Sequence, residues 1–277
     1  MSESTTVRRA ESPLDVSLSE DELAAHREHI TGFIESMVAE AGADGAVIGL
    51  SGGIDSTLVA HLAVEALGAD SVYGLVMPSE VNREANMSDA ERVASDLLGI
   101  EYDVVGIEPI VDTFLEAYPD AEGDTMAEGN LMVRTRAVLN YLAANHRNAL
   151  VLGTGNKSEA LVGYFTKYGD GAVDCHPIAN LYKAQVRQLA KHVDVPADLA
   201  EKTSSAEMWV GQTDEEEMGL DYPTLDSILA LHVEGGVSKS ATATEIGVDE
   251  AAVERVRELN TQSAHKRHVP PGPDPLY

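Results

Sequence analysis

The octapeptide Gly49-Leu-Ser-Gly-Gly-Ile-Asp-Ser56 restricts this chain's fold more tightly than any other stretch of its 277 residues. The apolar run Ala46-Val-Ile48 precedes it. Thr57-Leu-Val-Ala-His-Leu-Ala-Val64 follows with helical spacing and stops at Gly68. A buried strand that turns through Ser-Gly-Gly into a helix N-terminus makes an anion site. Gly52 and Gly53 let backbone N–H groups come close to phosphate, and Ser51 and Ser56 add hydroxyl donors. Asp55 would repel that phosphate unless a divalent cation lay between them, so it is read as a Mg²⁺ ligand.

The loop lacks the Gly-Lys-Ser/Thr ending of a Walker A motif. It resembles instead the Ser-Gly-Gly-x-Asp-Ser loop of the ATP pyrophosphatase (PP-loop) enzymes. These cleave ATP between its α and β phosphates and adenylate a carbonyl or carboxylate oxygen. The resemblance assigns the whole loop to ATP: Gly49, Leu50, Ser51, Gly52, Gly53, Ile54, Asp55 and Ser56.

Strand patterns at 46–50, 72–77, 102–105 and 149–152 alternate with helical ones at 19–41, 56–67, 84–98 and 126–145. This order predicts an α/β fold, a doubly wound and mostly parallel sheet with helices on both faces. The PP-loop resemblance implies the adenine nucleotide alpha hydrolase-like version of it. Ligands in such sheets bind beyond the C-terminal strand ends, where the glycine turns 51–53 and 153–155 both lie. Residues 1–18 read as a flexible start, and 19–277 as one domain. Within it, 19–41 is a helical extension, 44–200 the α/β core, 203–221 a mobile loop around Trp209, and 222–264 a helical C-terminal part. The apolar stripe of 19–41 (Leu23, His26, Ile30, Phe33, Ile34, Met37) suits core or dimer packing.

A second constellation is Leu152-Gly-Thr-Gly-Asn-Lys-Ser-Glu159, followed by Gly163-Tyr-Phe-Thr-Lys-Tyr-Gly-Asp-Gly171. With Asp174, Pro177, Leu181-Tyr-Lys183, Asp214-Glu215 and His265-Lys266-Arg267, it narrows the resemblance to the NAD synthetase family over about residues 20–272. The family's Thr-Ala-Asp-Leu loop is altered here to Ser204-Ser-Ala-Glu-Met208, with the hydroxyl kept at Ser205. The resemblance implies ATP contacts at Thr154, Lys183 and Ser205. It implies contacts to nicotinic acid adenine dinucleotide (deamido-NAD) at Arg134, Lys167, Asp174, His265 and Lys266, and a Mg²⁺ shared by Asp55 and Glu159. Asp55 and Lys183 then carry the catalysis. Glu159 also reads as an exposed helix carboxylate and Arg136 as a structural arginine; Arg83 is placed to reach ATP phosphate. Cys175 and His176 read as packing residues.

The implied reaction is ATP-dependent amidation of deamido-NAD by ammonia, in a homodimeric ligase. Glutamine-using relatives carry an extra amidotransferase domain with a nucleophilic cysteine. Here the single cysteine lies inside the core, so free ammonia or a separate glutaminase subunit is expected. Other PP-loop ligases and a nucleotide sensor without turnover are the competing readings. The Phe165-Thr-Lys-Tyr168 block and the retention of Asp55, Glu159 and Lys183 disfavour them.

Composition sets the surroundings. No stretch reaches the roughly 18 apolar residues of a membrane span, and no signal peptide is visible, so a cytoplasmic enzyme is expected. A formal charge of −28 opposes nonspecific nucleic-acid binding. It also strains the fold by self-repulsion that concentrated salt would screen, which suggests a halophilic protein; an acidic protein from a low-salt cell would show the same balance. None of the seven lysines precedes Lys157, and five of them (Lys157, Lys167, Lys183, Lys191, Lys202) crowd together as if to meet phosphates. The thermal midpoint, followed by circular dichroism, should rise by about 5 °C or more between about 0.1 M and about 2 M KCl. A midpoint indifferent to salt would leave the acidic coat without structural consequence.

Overall fold

The computed structural model describes residues 7–78, 83–205 and 213–275, the side chains of 83–87 excepted. Four strands, β1 (Gly45–Leu50), β2 (Val72–Val76), β3 (Glu101–Val104) and β4 (Ala149–Val151), form a parallel sheet in the order β3-β2-β1-β4. The helices are α1 (Glu20–Ala41), α2 (Ile54–Leu67), α3 (Arg83–Arg92), α4 (Glu108–Ala117), α5 (Thr125–Arg147) and α6 (Lys157–Val162). They continue with α7 (Lys183–His192), α8 (Ala197–Ala200), α9 (Asp214–Met218), α10 (Tyr222–Ile228), α11 (Lys239–Ile246) and α12 (Glu250–Gln262). No helix among the described residues is long and apolar enough to cross a membrane.

β1 is central, and both of its faces are covered, which is why its sequence is almost uninterrupted apolar. Ala46, Ile48 and Leu50 point into a core with Leu23, Ile30 and Ile34 of α1, Leu58 and Leu62 of α2, and Val186 and Leu189 of α7. Val47 turns the other way, towards Val111 of α4 and Ala144 of α5. A third core joins α10, α11 and α12 to Val162 and Tyr182.

One open alternative closes and two expectations change. The stripe of α1 is core: Leu23, Ile30, Ile34 and Val38 are buried, His26 and Met37 are half-buried, and only Phe33 is left exposed. Residues 7–18, expected to be flexible, are held against the C-terminal helices. Arg8 pairs with Leu220, Ala10 N–H donates to Thr224 Oγ1 (2.7 Å), and Leu14 N–H donates to Ser227 Oγ (2.8 Å). The segment expected to be mobile over 203–221 contains α9, whose Asp214 and Met218 are buried; 206–212, with Trp209, lie outside the described residues. Besides the short α8 and α9, two longer helices, α4 and α7, were missed. For α4, Pro109 obscured a proline-tolerant N-terminus, and α7 is interrupted by charge.

Gly45 opens β1 where the backbone of Ser71 presses closest: a Cβ there would lie 2.1 Å from the Ser71 carbonyl oxygen. Gly45→Ala should therefore cost about 1–3 kcal/mol or more in denaturant unfolding. An unchanged midpoint would mean that the two strands can part without loss.

Candidate active site

β1 ends in a turn whose Gly52 has φ of 73°, a left-handed backbone that glycine adopts without strain. Ser51 and Ser56 hold the turn closed: their hydroxyl oxygens lie 3.1 Å apart, Gly53 N–H donates to Ser51 Oγ (3.2 Å), and Ser56 O–H donates to Gly53 O (3.1 Å). Gly53 caps α2 without a side chain, so no capping side chain competes for the first-turn N–H groups. That leaves the positive end of the helix open for an anion.

β4 leaves through Gly153-Thr-Gly155 into α6. A Cβ on Gly153 would lie 2.5 Å from His176 Nδ1, so the turn requires glycine there. Asn156, fully buried, joins the two turns. Its Oδ1 accepts from Glu159 N–H (3.0 Å), its N–H donates to Glu159 Oε2 (3.3 Å), and its Nδ2 donates to Asp55 Oδ1 (2.9 Å). Lys183 opens α7 and is 1% exposed. Its ammonium donates to Asp55 Oδ2 (2.5 Å) and Glu159 Oε1 (3.1 Å), and lies 5.1 Å from the centre of the Tyr222 ring. Behind it, Ser158 Oγ accepts from Lys183 N–H (2.9 Å), while buried Asp226 accepts from the Ser158 hydroxyl and from Ala184 N–H (3.2 Å). The backbone and the head of Lys183 are thus fixed separately.

Burial, reinforced by Asp55 and Asp214 and opposed by Lys183, pushes the Glu159 carboxyl up to about 7. Burial disfavours the Lys183 ammonium, but Asp55 and Glu159 outweigh it and raise the lysine above its usual range. Burial likewise lifts Asp214, and takes Asp226 to about 6. Among the described residues no group of three or more His, Cys, Asp or Glu side chains is placed to hold a metal. Two hard carboxylates on one ammonium nevertheless suit Mg²⁺, which commonly binds through one or two carboxylates plus substrate phosphates.

The sequence-derived candidates divide in space. Arg134 of α5 donates to Lys167 O (3.2 and 3.3 Å), and the Lys167 ammonium donates to His265 O (2.8 Å). Lys266 donates to Gly163 O (2.8 Å) and Phe165 O (2.9 Å). These four therefore gather around the 163–171 loop. Asp174 is occupied elsewhere: its carboxylate accepts from Val151 N–H (2.7 Å) and the Tyr141 hydroxyl (3.2 Å), securing a strand-like segment beside β4. Thr154 sits half-buried in its turn, as does Ser205 beyond α8. Arg83 opens α3, and its side chain lies outside the described residues. Arg136 donates to Met77 O (3.0 Å) at the end of β2, the structural reading, and Cys175 is buried.

The lysine cluster disperses. Lys157 pairs with Glu234, Lys191 with Glu201 and Lys202 with Asp89, which leaves only Lys183 against the first turn. Proximity in sequence did not survive folding, because the lysines belong to different elements: Lys157 starts α6, Lys167 lies in the 163–171 loop, Lys183 and Lys191 stand at opposite ends of α7, and Lys202 follows α8. Sequence reading missed Asn156, Ser158, Tyr222 and Asp226. The Asn-x-x-Glu capping pattern of 156–159 could have shown the first; the others carry no local signal.

Because Glu159 is raised from 4.5 to about 7, the folded state holds more protons across that window. Its contribution to stability is therefore greatest below about 4.5 and is lost as pH rises through about 7. His61 and His176, lowered chiefly by burial, act oppositely, so the carboxyl is read by difference. At constant KCl, Glu159→Gln should melt above the ligand-free parent at pH about 8, and the gap should close towards about 5.5. A gap constant across pH would contradict the raised carboxyl.

The model of the NAD synthase family matches residues 26–270. A curated NH₃-dependent NAD⁺ synthetase of Halobacterium salinarum is 59% identical over 262 residues, 95% of this chain and 97% of the relative. Among solved structures, the NMN synthetase of Francisella tularensis aligns with a TM-score of 0.81 and 36% identity, covering 93% of this chain and all of that one. The NH₃-dependent NAD synthetase of Campylobacter jejuni aligns at 0.77 and 29% identity, with the same coverage. By both sequence and structure, this chain belongs to the NAD synthase family.

Proposed function

We propose that this chain converts deamido-NAD to NAD with ATP and ammonia, the last step of NAD biosynthesis, as a ligase forming a C–N bond. The observation that carries this reading is the meeting of Asp55, Glu159 and Lys183 at the open N-terminus of α2, within a chain 59% identical to an NH₃-dependent NAD⁺ synthetase. A carboxylate is inert to ammonia until its oxygen becomes a good leaving group. The nicotinate oxygen attacks the α-phosphorus of ATP and pyrophosphate departs. Ammonia then attacks the acyl carbon, giving the amide, AMP and a proton. The Ser51–Ser56 turn, the first-turn amides of α2 and the Lys183 ammonium stabilise the charge that develops on pyrophosphate. Asp55 and Glu159 would hold Mg²⁺, which supplies charge neutralisation for the phosphates. Thr154 and Ser205 border the nucleotide.

Arg134, Lys167, His265 and Lys266 form the dinucleotide site, with Asp174 at its edge. Lys167 and Lys266 are bonded to backbone carbonyls, so they meet substrate by exchanging those bonds. The homodimer forms through α4 and α5. There Phe114 and Tyr118, and Val138 and Leu142, stand exposed at i,i+4 spacing. Ammonia arrives free or from a separate glutaminase, and the enzyme works in the cytoplasm at high salt.

The similarity to an NMN synthetase supports a second reading, in which the substrate is the mononucleotide. Pyrophosphate release is measured with Mg-ATP, ammonium and either deamido-NAD or nicotinic acid mononucleotide, in molar KCl. Release with deamido-NAD accompanied by NAD, lowered about a hundredfold or more in Asp55→Asn, is expected. Release with the mononucleotide alone would transfer the assignment to the second reading, and silence with both would end the first.

A further inference from the structure

Asp214 is a buried carboxylate beside Lys183 that the proposed reaction leaves without work. It is 4% exposed at the first residue of α9. Its Oδ2 accepts from the Tyr222 hydroxyl (2.8 Å), and that hydroxyl lies 3.5 Å from Glu159 Oε1. Its Oδ1 is buried with no hydrogen-bond partner among the described residues. The nearby Tyr164 hydroxyl directs its proton to Glu217, 2.5 Å away. The backbone N–H of Asp214 donates to Ser204 O (3.3 Å), which ties α9 to the residue next to Ser205.

Tyr222 has one proton and two carboxylates within reach, Asp214 and Glu159. It can therefore hold Asp214 while Glu159 is bound to Lys183, and turn to Glu159 when Lys183 is drawn to phosphate. We propose that Asp214 is a positioning residue for the centre formed by Asp55, Glu159 and Lys183. It acts on Glu159 through the Tyr222 hydroxyl and on Ser205 through its own backbone. The inference rests on the reading of Asp55 and Glu159 as the metal-holding pair.

Outer partners of metal-binding groups are typically worth about ten- to a hundredfold in metal affinity. Mn²⁺ binding in the presence of inorganic pyrophosphate, followed by electron paramagnetic resonance, tests the proposal without turnover. Asp214→Asn and Tyr222→Phe should each weaken Mn²⁺ by about that factor, and the double variant should be no weaker than the worse single one. Melting curves should show all three folded, and if Asp214→Asn does not fold, Tyr222→Phe still decides. Unchanged affinity in either variant, or losses that add, would overturn the proposal. So would loss in Asp214→Asn as complete as in Asp55→Asn, which would make Asp214 a direct ligand. Unchanged Mn²⁺ binding in Asp55→Asn would sink the metal assignment itself, a result distinct from failure at Asp214 alone.

Discussion

A single ammonium, that of Lys183, is taken out of water and held between Asp55 and Glu159. Removing charges from water costs several kcal/mol per ion, and mutual attraction repays that only with good geometry and further hydrogen bonds. The chain supplies both. Asn156 donates to the remaining oxygen of Asp55 and caps the helix that carries Glu159, while Ser158 and Asp226 fix the backbone from which Lys183 projects. Three segments, from the ends of β1 and β4 and the start of α7, are thereby locked to one another.

This arrangement is better suited to exchange than to stability. With Asp214 close by, carboxylates outnumber the cation, and burial lifts Glu159 and Asp214 above their ordinary range. A cluster with more carboxylate than cation gains when further positive charge arrives. The parallel sheet makes this possible: it places two glycine turns side by side at the C-terminal ends of adjacent strands, so one ammonium can reach a carboxylate from each.

Much of this was legible from the chain. The strands were found within a residue or two, because β1, β2 and β4 are short apolar runs between glycine- or asparagine-marked turns. Asp55 stood out because a carboxylate beside a turn suited to phosphate calls for a cation, and Glu159 and Lys183 stood out through the resemblance to the NAD synthetase family. What failed were the inference from proximity that gathered the lysines and the inference from missing periodicity that left the polar N-terminus free. Residues 7–18 have no periodicity because they form no helix or strand of their own; they complete hydrogen bonds on α10 and the turn after α11.

The sequence by itself determined the layered parallel fold, the glycine turn that follows β1 and the identity of its charged residues. Those follow from local rules, in which apolar period, glycine placement and helix termini act over a few residues. Only the tertiary structure decided which charges meet. Lys183 lies 128 residues from Asp55 and 24 from Glu159, and Tyr222 comes from a separate core altogether. No local pattern encodes such contacts. They exist because the sheet order and the packing of α7 and α10 bring distant side chains into one water-poor space, where pairing is obligatory.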